Sequence, residues 1–169
     1  MYYNRIIFLQ MKTLFALLLV FCCCHWIACS PPSGVYEKDI PLPDQQWQGN
    51  YHPTFDFDIR EDDTANRYNV YLVLRHTDAY NYNNIWIRGT VKQPGDPTAR
   101  SERYDLLLAT NDKGWLGSGM DDIYEHRVQI QQETKFAHPG KYSFTLEQIM
   151  REDPLKHVLN VGVRIEKVP

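Results

Sequence analysis

A chain of 169 residues with a net charge of −3 is long enough for one domain built on one sizeable core. Its Lys and Arg are scattered rather than gathered into a run or stripe, so the phosphate attraction behind nucleic-acid binding is weak and no nucleic-acid partner is expected. Aromatic residues make up 13% of the chain, with eleven Tyr among them, which favours β structure, where rings pack on a pleated face.

Residues 1–28 carry Arg5 and Lys12 and no acid, and residues 14–24, LFALLLVFCCC, are unbroken apolar. A positive start, an apolar run of about 7–15 residues and then small residues are the parts of a secretory signal. The run falls short of the roughly 20 residues of a spanning helix. Met11-Lys12-Thr13 makes a good signal start by itself, so residues 1–10 read as an upstream extension. All the cysteines, Cys22, Cys23, Cys24 and Cys29, sit in this stretch. Adjacent side chains on a helix point about 100° apart and do not converge as metal ligands do, so no metal or other cofactor is expected. WIAC (26–29) resembles the lipobox of bacterial lipoprotein signals, with Trp26 where Leu is usual, Ala28 before the cut and Cys29 as the lipidated residue. This divides the chain into a signal peptide (1–28), a lipidated tether (29–34) and a lipoprotein domain (35–169). One acyl chain binds a membrane marginally and two or more bind it stably, so a fully acylated Cys29 holds the domain on a membrane.

After the tether, GVYEKDIPL (34–42) reads as a first strand or edge segment, closed by Pro41 and Pro43. TFDFDI (54–59) alternates strictly, with Phe55, Phe57 and Ile59 on one face and Asp56 and Asp58 on the other, as a half-buried strand does. RYNVYLVLR (67–75) puts Tyr68, Val70, Leu72 and Leu74 on one face. Its other face, Tyr71 and Val73, is apolar too, which predicts a central strand. NIWIRGTVK (84–92), RYDLLLAT (103–110), EHRVQIQ (125–131), KYSFTLEQI (141–149) and LNVGVRIEK (159–167) complete the set, with turns at PGDP (94–97) and Pro139-Gly140. LEQIMRE (146–152) allows one turn of helix after its strand. About eight strands separated by Pro, Gly, Asn and Asp predict an all-β fold, a single antiparallel β-sandwich. Both the jelly-roll and the immunoglobulin-like topology fit the pattern.

Three stretches hold side chains that could do chemistry. KGWLGSG (113–119) spaces Gly114, Gly117 and Gly119 in the reverse of the dinucleotide fingerprint, with no βαβ unit around it. It reads as a tight loop whose glycines take positive φ or let Trp115 tuck in, or as a loop that meets a partner. DDIYEHR (121–127) sets Asp121, Asp122, Glu125 and His126 close together, a donor set that could hold a divalent cation or move protons. The plainer expectation has the two Asp satisfying backbone N–H groups in a turn, with Glu125 and His126 opening a strand as surface groups. AYNYNNIW (79–86) offers Tyr80 and Tyr82 beside paired amides, which could stack and read a sugar, or could pack over a turn. The histidines are dispersed and no G-x-S-x-G occurs, so the chain is not expected to be an enzyme. Trp115, Asp121, Asp122, His126, Tyr80 and Tyr82 are the candidate ligand or partner contacts.

YNVYLVLRHTDAYNYNNIWI (68–87), DKGWLGSGMDDIYEHR (112–127) and QIMREDPLKHVLNVGVRIEK (148–167), with VYEKDIPLPDQQW (35–47) and the lipobox, resemble the GldH-type gliding-motility lipoproteins of the Bacteroidetes. The resemblance runs in order over the whole mature chain. It implies a lipid-anchored, non-catalytic envelope component of the gliding machinery that works with other envelope or motility proteins. The alternative is a carbohydrate-binding or other ligand-binding envelope lipoprotein. Surface-exported lipoproteins of that phylum tend to carry acids just after the cysteine, and CSPPSG (29–34) has none, so the resemblance implies the periplasmic face of the outer membrane.

Overall fold

The computed structural model describes residues 35–168, so the signal, the tether and Cys29 lie outside the described residues. In chain order the strands are β1 (Val35–Pro41), β2 (Gln46–Trp47), β3 (Thr54–Ile59), β4 (Tyr68–Thr77), β5 (Asn84–Lys92) and β6 (Arg100–Leu107). They continue with β7 (Ala109–Thr110), β8 (Gly114–Trp115), β9 (Ser118–Met120), β10 (Ile123–Thr134), β11 (Gly140–Gln148), β12 (Leu155–Lys156) and β13 (Val158–Lys167). The sequence leads one to expect about eight strands, and thirteen are present among the described residues. The eight long ones fall on the eight expected segments. The additional five span only two or three residues each, too few for hydrophobic alternation to register. The helical turn allowed at 146–152 does not form. Leu146, Glu147 and Gln148 finish β11, and the Ile149 N–H donates to the Trp86 carbonyl at 3.0 Å, so the backbone keeps pairing along β5.

Alternation decides which side chains enter the core. In β3, Phe55, Phe57 and Ile59 are buried while Thr54, Asp56 and Asp58 face water. In β4 the buried set Tyr68, Val70, Leu72 and Leu74 continues to His76, and Val73 on the opposite face is buried as well. The central position expected for this strand is observed, because β4 lies in the middle of the sheet β1-β13-β4-β10-β9. At one end of the core Phe57 stacks on Tyr142 at 5.5 Å and meets Phe136 edge-on at 5.3 Å. Each such ring is worth roughly 1.5–3 kcal/mol when fully buried.

The pairing pattern chooses the topology. Among the long strands the first pairs with the last, β1 with β13. The second pairs with the seventh (β3 with β11), the third with the sixth (β4 with β10) and the fourth with the fifth (β5 with β6). The chain is therefore one long antiparallel ribbon. It rolls up so that β13 also pairs with β4 and β11 with β5, which divides it between the five-stranded sheet and a four-stranded sheet, β3-β11-β5-β6. This is the jelly-roll arrangement. Two small ladders, β2 with β12 and β7 with β8, close over the sandwich. Among the described residues no helix is long and apolar enough to cross a membrane.

Candidate functional site

Rings gather where β4 ends and β10 begins. His76 packs 4.4 Å from Trp115, 5.0 Å from His126, 5.2 Å from Tyr80 and 5.8 Å from Tyr124, measured between ring centroids. The two imidazoles are joined: His76 Nδ1–H donates to the Thr77 carbonyl at 2.7 Å, which leaves its Nε2 to accept from His126 Nε2–H at 2.9 Å. Both rings are buried, at 0% and 3% exposure. Burial opposes the charged form. It pushes His76 down, partly offset by the Thr77 carbonyl, and it pushes His126 down to about 4, with the neighbouring His76 adding to the effect. At neutral pH the pair is therefore uncharged, one donor facing one acceptor.

The structure brings Tyr80, Tyr82, Trp115 and His126 into one cluster. Tyr80 and Tyr82 meet edge-on at 5.7 Å, and Tyr80 lies 6.3 Å from Trp115. Tyr80 is 4% exposed and its hydroxyl donates to the Asn84 carbonyl at 3.1 Å. Burial raises the Tyr80 phenol well above its ordinary value, with Tyr82 and Glu152 adding to it. Its ring has no open face for a ligand, whereas Tyr82 and Trp115 are half-buried. The neighbouring Glu152 carboxylate raises the Tyr82 phenol.

His126 is not the surface group the sequence suggested. β10 opens at Ile123 rather than at Glu125, and pairing of His126 with Leu74 puts its ring on the core side. Glu125 points the other way, toward Arg127 at 3.1 Å and Arg75 at 3.7 Å. Asp121, at φ 57°, and Asp122 stand exposed in the turn before β10, and it is the Asp122 carbonyl that accepts the Asp78 N–H, at 2.7 Å. Among the described residues no three His, Cys, Asp or Glu side chains come together in a group that could hold a metal ion.

The glycine-rich loop serves the cluster. Gly114 has φ +66°, a conformation that suits the turn between β7 and β8 and carries Trp115 toward His76. A Cβ on Gly117 would lie 2.5 Å from the Glu125 carbonyl oxygen and 2.9 Å from His126 Nε2. The glycine is what lets the loop press on the histidine pair.

Sequence reasoning passed over His76, although it stands two residues beyond Leu74 on the alternating core face of β4. It also passed over a second depression next to the cluster, a cavity of about 430 Å³ lined by Tyr82, Trp86, Arg103, Ile149, Met150 and Arg151. Trp86 is 41% exposed there, and its backbone N–H donates to the Met150 sulfur at 3.2 Å.

The chain has relatives. It is 28% identical over 119 residues to the "Gliding motility lipoprotein GldH homolog" of Christiangramia forsetii, covering 66% of this chain and 72% of that protein. It is 27% identical over 128 residues to the "Gliding motility lipoprotein GldH" of Flavobacterium johnsoniae, covering 72% and 77%. Among solved structures it overlaps loosely with a carbohydrate-binding module specific for non-crystalline cellulose, at 9% identity and a TM-score of 0.38, over 78% of this chain and 71% of that one. At that score the overlap has no bearing on this chain. Residues 34–165 match the family described as GldH lipoprotein, which takes in nearly the whole sandwich, and the chain belongs to that family.

Proposed function

We propose that this chain is a non-catalytic component of a gliding-motility assembly, held in the cell envelope by lipid on Cys29 and working through contacts with other envelope or motility proteins. The observation that carries the reading is the match of residues 34–165, the folded domain itself, to a lipoprotein family whose named relatives are gliding-motility lipoproteins. A binding role rather than catalysis is supported by the candidate acid–base residues. Asp121 and Asp122 face solvent, while His126 is buried against His76. Cells lacking the chain should stop moving over surfaces and regain movement when it is restored. Unimpaired movement without it would remove the motility role. The absence of acid in residues 29–34 supports the periplasmic face of the outer membrane. Protease applied to intact cells should then leave the domain uncut.

Trp115 and Tyr82 keep partly open faces beside Tyr80, which favours saccharide binding as a second reading. Purified protein should in that case bind soluble glycans, and Trp115→Ala should abolish the binding.

A further inference from the structure

We propose that the open edge of β6 receives an extended, acid-bearing segment of a protein partner as an added strand. The inference rests on the assembly role proposed above and supplies it with a contact surface. β6 ends the four-stranded sheet, and among the described residues nothing pairs with its outer side. Proteins blunt such edges with short strands, proline, bulges or charged side chains, and of these β6 has only the last, in Arg100, Glu102, Arg103 and Asp105. β6 runs eight residues without proline and keeps an unbroken register with β5 from Asn84↔Leu107 to Val91↔Arg100.

A depression opens near the strand on each face of its sheet. The cavity holding Trp86 and Arg103 lies on its solvent face. A groove of about 340 Å³ lies between β6 and the end of β10, with Arg100 and Tyr104 on one side and Gln131 and Lys135 on the other. Alternate side chains of an added strand would face Arg100 and Tyr104 on the groove side and Arg103 and Leu107 on the other. The apolar residues exposed here are large: Trp86 at 41%, Leu107 at 51% and Leu116 at 44%. Leu107 is diagonal to Trp86 across the β5–β6 ladder, and the Leu116 N–H donates to the Leu108 carbonyl at 2.8 Å.

Charge selects the occupant. Arg103 and Arg151 make no ion pair among the described residues, whereas Arg88, directly opposite Arg103, is held by Glu147 at 2.6 Å. Each acid of β6 accepts a hydrogen bond from a neutral neighbour, Glu102 from the Tyr104 hydroxyl at 3.0 Å and Asp105 from the Asn84 amide at 2.7 Å. The unpaired guanidinium groups of Arg103 and Arg151 call for a carboxylate opposite Arg103, and the exposed Leu107 calls for an apolar residue opposite it. A second copy of β6, paired antiparallel about Tyr104, would set Asp105 opposite Arg103 but only Ser101 opposite Leu107, and would leave Arg151 without an acid.

The test uses the full-length lipidated chain in cells, with a photo-crosslinking amino acid at Ser101 or Leu107 on β6, or at Thr54 on the edge of β3 as a control. The expected result is one and the same acid-containing protein segment, identified by mass spectrometry, from both β6 positions and none from Thr54. Arg103→Glu should cut the yield at least tenfold, and changing the captured acid to Lys should restore it. A self-adduct, a glycan adduct, no adduct, or capture indifferent to Arg103→Glu would overturn the proposal. Motility of cells lacking the chain is scored separately, so an absent adduct beside abolished gliding counts against the β6 site alone.

Discussion

The residue-scale consequence of the paired imidazoles is a pH dependence. In the unfolded chain His126 titrates near its ordinary value of 6.5, but in the folded chain it titrates near 4. The unfolded state therefore takes up the proton first as pH falls, and stability declines across that window. At 1.36 kcal/mol per pKa unit the His126 contribution is roughly 3 kcal/mol between pH 6.5 and 4, with His76 acting in the same direction. Asp56 and Asp63 are held below their ordinary 3.8 by Lys141 with Ser143 and by Arg60 respectively, so their contributions are lost only below about pH 4. The two windows separate. Urea unfolding at pH 7, 5.5 and 4 should show the decline in the native protein, and His126→Phe should lessen it, leaving the part that His76 carries. A second prediction concerns the loop above the pair. Gly117→Ala forces its new methyl against the backbone of Glu125, which cannot rotate away as a side chain could, and should cost about 1–3 kcal/mol in the same unfolding measurement.

At the scale of elements, β3 shows what alternation can foretell. TFDFDI reads as inward Phe55, Phe57 and Ile59 against outward Asp56 and Asp58, and the strand spans those same residues. Phe57 touches Tyr36, Phe136 and Tyr142, with ring centroids 5.3–5.6 Å apart. Phe57→Ala should therefore cost about 3–5 kcal/mol, while Asp58→Ala, one residue away on the solvent face, should stay within about 0.5 kcal/mol. Thermal unfolding of the two variants side by side checks the contrast. The same rule, carried past Leu74, would have placed His76 inside. His126 was legible by the same rule: in EHRVQIQ it shares a face with Val128 and Ile130, and the start of β10 two residues earlier than expected leaves that face unchanged, because side chains alternate with a period of two. The two-residue ladders were not legible at all. Their stability comes from what they cover: Trp47 is fully buried, pairs with the equally buried Leu155 and gives its indole N–H to the Tyr51 carbonyl at 2.9 Å.

At the scale of the whole molecule, the sandwich was legible and its winding was not. Strand periodicity says which face is wet but not which strand lies alongside, and the first-to-last pairing of β1 with β13 joins segments at opposite ends of the described chain. That pairing has a functional corollary. β1 follows residues 29–34 directly, and a tether of that length spans about 20 Å even when fully extended, at 3.3–3.6 Å per residue. A domain anchored at Cys29 would consequently be confined to a shell near the membrane, and a partner would have to reach it there. Folding and anchoring are separable in this arrangement, because the sandwich closes on its own core and Gly34–Pro169 clusters as a compact unit. Cys29→Ser should remove every acyl chain and shift the protein from the membrane fraction to the soluble fraction. Its unfolding midpoint should stay unchanged, and surface movement should be lost. Lipid labelling, fractionation and motility scored on that variant read the three consequences independently. A variant that remains membrane-bound and labelled would move the anchor away from Cys29. A soluble variant that still supports movement would mean that the contacts made by the sandwich suffice without the lipid.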